Sequence, residues 1–200
     1  MIATKQLIKT LLQENTNILK SKLLDILAKQ SYIEGKIILS SGKESNYYVD
    51  GKQTTLDSEG GVVISLLFLR MLNENISAVG GLSVGADPLS SGVSQVGFLL
   101  GKKINAFYVR KEPKKHGTSK WIEGPLQKGT SVAILEDVVT TGASSLKAIE
   151  KVTEFGCKVE QVLAIVDRNE GGREAYKKIG VKYNFLFDIN EVIERSKVSR

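Results

Sequence analysis

The residues Val132-Ala133-Ile134-Leu135-Glu136-Asp137-Val138-Val139-Thr140-Thr141-Gly142-Ala143-Ser144 combine three features that together suit a phosphorylated ligand. A buried apolar run ends in two adjacent carboxylates, a turn rich in hydroxyls and glycine follows, and a helical pattern begins near Ser144. At the carboxyl end of a strand in an open α/β sheet, the next helix presents unpaired N–H groups and the positive end of its dipole. Both favour a phosphate. Gly142 lets the backbone approach the anion, while Thr140, Thr141 and Ser144 add hydroxyl donors. Glu136 and Asp137 would repel a bare phosphate. They fit a ligand that also carries sugar hydroxyls, which donate to carboxylates, or a hydrated Mg2+. Phosphate and polyol together point to a phosphorylated ribose. A bare Thr-Thr-Gly is more often an ordinary capped turn, so the whole stretch carries the reading. Other phosphate loops fail on residue type: the spacing from Gly97 to Gly101-Lys102-Lys103 is wrong for a Walker loop, and Gly-x-Gly-x-x-Gly does not occur.

A second group of candidates lies just upstream. Residues 110–124 carry Arg110, Lys111, Lys114, Lys115 and Lys120 against Glu112 and Glu123, which places half of the chain's net charge of +6 in one short segment. With Pro113, Gly117, Gly124 and the single histidine, His116, and with neither helical nor strand period, this segment reads as an exposed mobile loop. The plain alternative is a solvated basic loop.

These residues need a scaffold. Candidate strands are Ala78–Leu82, Ile104–Val109, Ser131–Leu135, Val159–Val166 and Tyr183–Phe187, with helical patterns at 59–74, 87–100, 143–155 and 170–178. That alternation predicts an α/β fold, a mostly parallel twisted sheet flanked by helices on both faces. Asp57 is the expected N-cap of the first of those helices. Before it, Leu7–Leu12 and Ile18–Leu27 repeat at helical spacing. Ile37–Leu39 and Tyr47–Val49 around Ser41-Gly42-Lys43 read as a hairpin, so residues 1–55 form a small N-terminal hood on a single domain of residues 1–200.

Composition agrees. A chain of 200 residues, 42% hydrophobic and 25% charged with 3 Pro, is globular rather than disordered. One cysteine, Cys157, and one histidine exclude an internal disulfide and a Cys/His zinc cluster, so no side chain is assigned as a dedicated metal ligand; a reducing, cytoplasmic setting is expected. Met1–Leu12 lacks the apolar core of a signal peptide, and Val62–Leu72, the most apolar stretch, contains Ser65 and Arg70 and is too short to span a membrane.

The stretch 132–144 resembles the phosphoribosyl-diphosphate signature of the type I phosphoribosyltransferases. Arg110-Lys111-Glu112-Pro113-Lys114-Lys115-His116-Gly117 resembles the catalytic loop of one member family, the orotate phosphoribosyltransferases. Ser41-Gly42-Lys43-Glu44-Ser45-Asn46-Tyr47-Tyr48-Val49-Asp50 resembles that family's orotate-side hairpin, and Gly80-Gly81-Leu82-Ser83-Val84-Gly85-Ala86-Asp87-Pro88 its diphosphate-binding turn. The resemblance implies the type I fold and the conversion of orotate and phosphoribosyl diphosphate, with Mg2+, to orotidine 5'-monophosphate and diphosphate in pyrimidine (UMP) synthesis. It places Thr140, Thr141, Gly142, Ala143 and Ser144 at the 5'-phosphate. Glu136 and Asp137 fall at the ribose hydroxyls, and Val138 and Val139 within the same binding stretch. Arg110, Lys111, Lys114 and His116 fall at the diphosphate, with Thr140, Arg168 and Tyr48 near orotate. Lys114, His116 and Asp137 are the catalytic candidates, His116 as a hydrogen-bond donor to diphosphate rather than a proton shuttle. The family's loop reaches a neighbouring subunit's site, which implies a homodimer, with no nucleic-acid or membrane partner. Many members carry Lys where Ser40 and Gly85 stand here. A branch with the Gly-Ala-Asp-Pro form shares the departure, and Lys43 is a candidate compensating cation. Two rival readings remain at this point. A purine or uracil phosphoribosyltransferase would keep 132–144 but not the 110–117 loop. A phosphoribosyl-diphosphate-sensing regulator would bind RNA or DNA, yet the basic charge lacks interleaved aromatics.

Overall fold

Apolar runs that alternate with amphipathic helices bury both element types at once when each helix returns the chain to the same end of a sheet. A computed structural model of the chain describes residues 13–38, 44–113 and 120–198 and has this arrangement. Helix α1 (Thr16–Ile26) widens into a π-helical turn over Leu27–Ser31 and leads into an antiparallel hairpin, β1 (Tyr32–Ile38) and β2 (Glu44–Val49). The short α2 (Gly51–Thr55) and then α3 (Ser58–Met71) follow. The expected helix at Leu7–Leu12 and the hairpin's turn, with Ser40 and Lys43, lie outside the described residues.

The main sheet then builds from β3 (Ala78–Leu82), β4 (Asn105–Val109), β5 (Ile122–Glu123), β6 (Ser131–Val139), β7 (Lys158–Asp167) and β8 (Lys182–Asp188), in the order β5-β4-β3-β6-β7-β8. All pairs are parallel except β4 with β5. Helices α4 (Ala86–Leu99), α5 (Ala143–Glu154), α6 (Gly172–Lys178) and α7 (Ile189–Val198) complete the chain. Strand alternation sorts the core. In β6, Val132 and Ile134 face the cluster under α5 and α6, whereas Ala133 and Leu135 face the cluster shared with α1, α3, α4 and α7. Leu19, Leu23 and Val49 of the N-terminal segment join that second cluster. Cys157 is a buried core residue whose thiol donates to the Gln127 carbonyl at 3.2 Å.

In the main sheet the boundaries follow the sequence closely, whereas helices α2 and α7 are not among the expected elements and β1 starts at Tyr32 rather than Ile37; two further differences are informative. Strand β6 does not stop at Leu135: Glu136, Val138 and Val139 pair with Ala164, Val166 and Asp167 of β7, so the two carboxylates lie within the strand rather than beyond it. The segment 110–124 is not loop throughout. The Arg110 N–H donates to the Trp121 carbonyl at 2.8 Å, and Ile122 and Glu123 pair with Val109 and Tyr108. A two-residue strand is too short to show a period. Asp57 caps α3 as expected, its Oδ1 accepting from Gly60 N at 2.8 Å and Glu59 N at 3.0 Å.

Candidate active site

Strand β3 has β4 on one side and β6 on the other, so the chain reverses its direction of travel across the sheet between β3 and β6. A crevice opens beyond the carboxyl ends of strands at such a switch point. Two helix starts flank it. Helix α4 begins after Gly85 and α5 after Gly142, and neither has a side-chain cap, whereas Asn15, Asp50 and Asp57 cap α1, α2 and α3. In α5 the first backbone bond runs from Leu146 N to Gly142 O, at 2.9 Å, which leaves the preceding N–H groups free for an anion. Gly142 holds φ 80, and a Cβ there would stand 3.0 Å from the Tyr176 ring. Thr141, Ala143 and Ser144 are exposed around this turn, as a ligand requires.

Strand alternation sends the two carboxylates to opposite sides of the sheet. Asp137 faces the switch point, where glycines crowd it: a Cβ on Gly51 would lie 2.7 Å from the Asp137 Cβ, and one on Gly85 3.0 Å from its Oδ1. Any side chain at 85 would therefore begin in contact with Asp137. Asp137 Oδ1 accepts from Val138 N at 2.8 Å. Lys52 stands close by, paired with Asp50 at 2.8 Å; that hydrogen bond raises its pKa, and the Asp137 charge adds to the effect. Glu136 instead turns beneath the start of α5, buried, and accepts from Ser145 Oγ at 2.8 Å. Burial, reinforced by the adjacent Asp137 charge, pushes its pKa up to about 8. Val139 is core, and Val138 packs against the other cluster, so both can offer a ligand only backbone.

The Glu136 environment has a testable consequence. A carboxyl raised from 4.5 to about 8 in the folded chain keeps a proton that the unfolded chain has lost. Its contribution to stability is therefore complete below pH 4.5 and is lost as pH rises towards 8. Glu136→Gln keeps an oxygen for Ser145 but cannot ionise. Unfolding measured across that window is expected to show the variant gaining on the parent by roughly 1.4 kcal/mol per pH unit, whereas parallel curves would contradict the assignment.

Arg168 extends the site from β7. Its N–H donates to the Val139 carbonyl at 2.9 Å, and Gly172 N donates to the Thr140 carbonyl at 3.1 Å, so the Arg168 turn and the Thr140 turn are stitched together. Arg168 is 6% exposed, which excludes a surface arginine at a strand end. Its guanidinium lies 4.7 Å over the Tyr47 ring, and Nη2 donates to Ser45 Oγ at 3.4 Å. Tyr48, the hairpin residue expected here, points to the opposite face of β2. Tyr47, Ser45 and Glu170 were not singled out from sequence. The signal for Tyr47 is Val49, a buried neighbour two residues on and thus on the same face.

At the other rim, Arg110 pairs with Glu123 at 3.3 Å and stays exposed, and the Lys111 carbonyl accepts from Lys147 Nζ of α5 at 2.8 Å. Trp121 packs at the base of this segment with Lys147 and Lys151 over its ring, at 5.4 and 4.9 Å. Lys114 and His116 lie outside the described residues. No helix among the described residues is long and apolar enough to cross a membrane.

No protein-family model matches the chain. Curated relatives do. It is 44% identical over 178 residues to the orotate phosphoribosyltransferase of Nostoc sp., covering 88% of this chain and 86% of that protein. To the same enzyme of Synechocystis sp. it is 47% identical over 171 residues, covering 85% and 86%. The chain belongs to the orotate phosphoribosyltransferase family. The crystal structure of the Mycobacterium tuberculosis orotate phosphoribosyltransferase in complex with phosphoribosyl diphosphate is similar with a TM-score of 0.75 at 32% identity, covering 87% of this chain and 98% of that one. The mostly parallel sheet flanked by helices is thus the type I phosphoribosyltransferase fold that the sequence implied.

Proposed function

We propose that the chain transfers the phosphoribosyl group of phosphoribosyl diphosphate to orotate, giving orotidine 5'-monophosphate and diphosphate on the route to UMP. The observation that carries this reading is the uncapped start of α5 at the switch point, with Asp137 in the strand before it. The N–H groups from Ala143 onward, with the Thr140, Thr141 and Ser144 hydroxyls, bind the 5'-phosphate, and Asp137 accepts from the ribose hydroxyls. Glu136, buried and bonded to Ser145, stiffens the floor beneath that turn.

Breaking the C1–oxygen bond develops positive charge on the sugar and negative charge on the departing diphosphate, while the ring nitrogen of the base bonds to C1 and gives up its proton. Arg110, Lys111, Lys114 and His116 offset the leaving group's charge, most strongly where water is excluded. Among the described residues no group of three or more His, Cys, Asp or Glu side chains converges on a metal site. Asp137, with diphosphate oxygens and water, would hold a Mg2+, which would add to the neutralisation of the diphosphate. The homodimer, through the resemblance of the 110–117 loop, and the cytoplasmic setting, through the single cysteine, belong to the same proposal.

Diphosphate release measured with orotate, uracil, adenine and hypoxanthine in turn tests the base; release with a purine and none with orotate would overturn the reading. Because Arg110, Lys111 and His116 share the leaving group with it, Lys114→Ala is expected to slow turnover roughly tenfold with the thermal midpoint unchanged. An unaltered rate would remove the loop from the chemistry.

A further inference from the structure

Arg168 is fixed by contacts on three sides, and one of them comes from its own turn. Glu170 Oε1 lies 2.9 Å from Arg168 Nε, an ion pair in which Nε makes no hydrogen bond, with the Arg168 side chain 4% exposed. The Tyr47 ring covers a face of the guanidinium, and Ser45 takes one Nη2 hydrogen. Among the described residues Nη1 has no partner. A guanidinium is a rigid planar fork, so holding its Nε side determines where its Nη1/Nη2 end points. The turn that carries Glu170 is itself held. Asn169 sits at φ 58, its N–H bonded to Asp167 Oδ1 at 2.7 Å, and Arg173 bridges Asp167 Oδ2 at 2.7 Å and Asn169 Oδ1 at 2.6 Å.

We propose that Glu170 is a positioning residue for base recognition: its carboxylate holds Arg168 Nε so that the Nη1/Nη2 end is presented to a carboxylate on the base. The inference rests on the reading of Arg168 as the orotate-side residue. It also explains why a positive charge is kept in so enclosed a place, since a buried arginine without a counter-charge is costly. The contact is an ion pair without a hydrogen bond at Nε, so the charge at 170 does the positioning and a neutral amide there does not replace it.

Steady-state kinetics of Glu170→Ala and Glu170→Gln test it, with orotate and phosphoribosyl diphosphate varied in turn. In Glu170→Ala the KM for orotate is expected to rise about tenfold, the loss of the ion pair's hold on the guanidinium, with kcat and the KM for phosphoribosyl diphosphate within about twofold. Glu170→Gln, which keeps the shape without the charge, is expected to recover little of that loss. An unchanged orotate KM in Glu170→Ala would overturn the proposal. Both KM values rising together, or a parental orotate KM in Glu170→Gln, would also do so, because a merely structural role has that signature. A parent protein that does not turn over orotate at all would instead overturn the reading of the site beneath it.

Discussion

Gly142→Val is expected to lower kcat/KM for phosphoribosyl diphosphate by about two orders of magnitude while the chain still folds. Gly142 lies at φ 80, a conformation that costs an L-residue roughly 1–2 kcal/mol, and more for a β-branched one. The new Cβ would also stand 3.0 Å from the Tyr176 ring and hydroxyl, and Tyr176 cannot retreat because it is fully buried. The turn must therefore move outward, carrying with it the free N–H groups of α5. A displacement on the order of 1 Å at positioned donors is enough for a loss of about a hundredfold. Parallel measurement of the unfolding midpoint and of the two KM values separates a displaced turn from an unfolded chain. Parental kinetics for phosphoribosyl diphosphate would show that this turn does not hold the phosphate.

Arg168→Ala is expected to raise the KM for orotate by about a hundredfold. A hydrogen-bonded pair between arginine and a carboxylate contributes roughly 1.5–3 kcal/mol, and removing the guanidinium also strands Glu170 without its cation. Tyr47 loses its covering group in the same substitution, so the hairpin's hold on the sheet loosens, and a modest fall in thermal midpoint accompanies the kinetic effect. The proposed phosphoribosyl-diphosphate site lies on the other side of the Thr140 turn, so the dissociation constant for that ligand, read by calorimetry, is expected to stay within about threefold of the parent value. An orotate KM unmoved by the substitution would place the base elsewhere.

The parts of this site legible in the sequence are those encoded locally. The β6–α5 turn announces itself because strand, acids, hydroxyls and glycine are contiguous, and the structure places Asp137, Thr140, Thr141 and Gly142 together at the switch point. Regular elements were legible for the same reason: β3 is found over Ala78–Leu82 as expected, and Asp57 begins α3. What sequence could not supply was facing. Adjacent Glu136 and Asp137 looked like a pair, but pleating sends them to opposite sides, one bonded under α5 and one open to the crevice. The same effect separates Tyr47 from Tyr48, and only the register of the hairpin against Arg168 shows which of them meets the base side. Glu170 was hidden because an acid three residues beyond a strand is common, and its significance arises only from a turn bent back on Arg168.

Absorbance of orotate followed over time, with the purified chain and with phosphoribosyl diphosphate and Mg2+ present or withheld, tests the central assignment most directly. Loss of the orotate signal only when phosphoribosyl diphosphate and Mg2+ are both supplied, matched mole for mole by diphosphate, is the expected result. A stable orotate signal under the complete conditions would contradict the account.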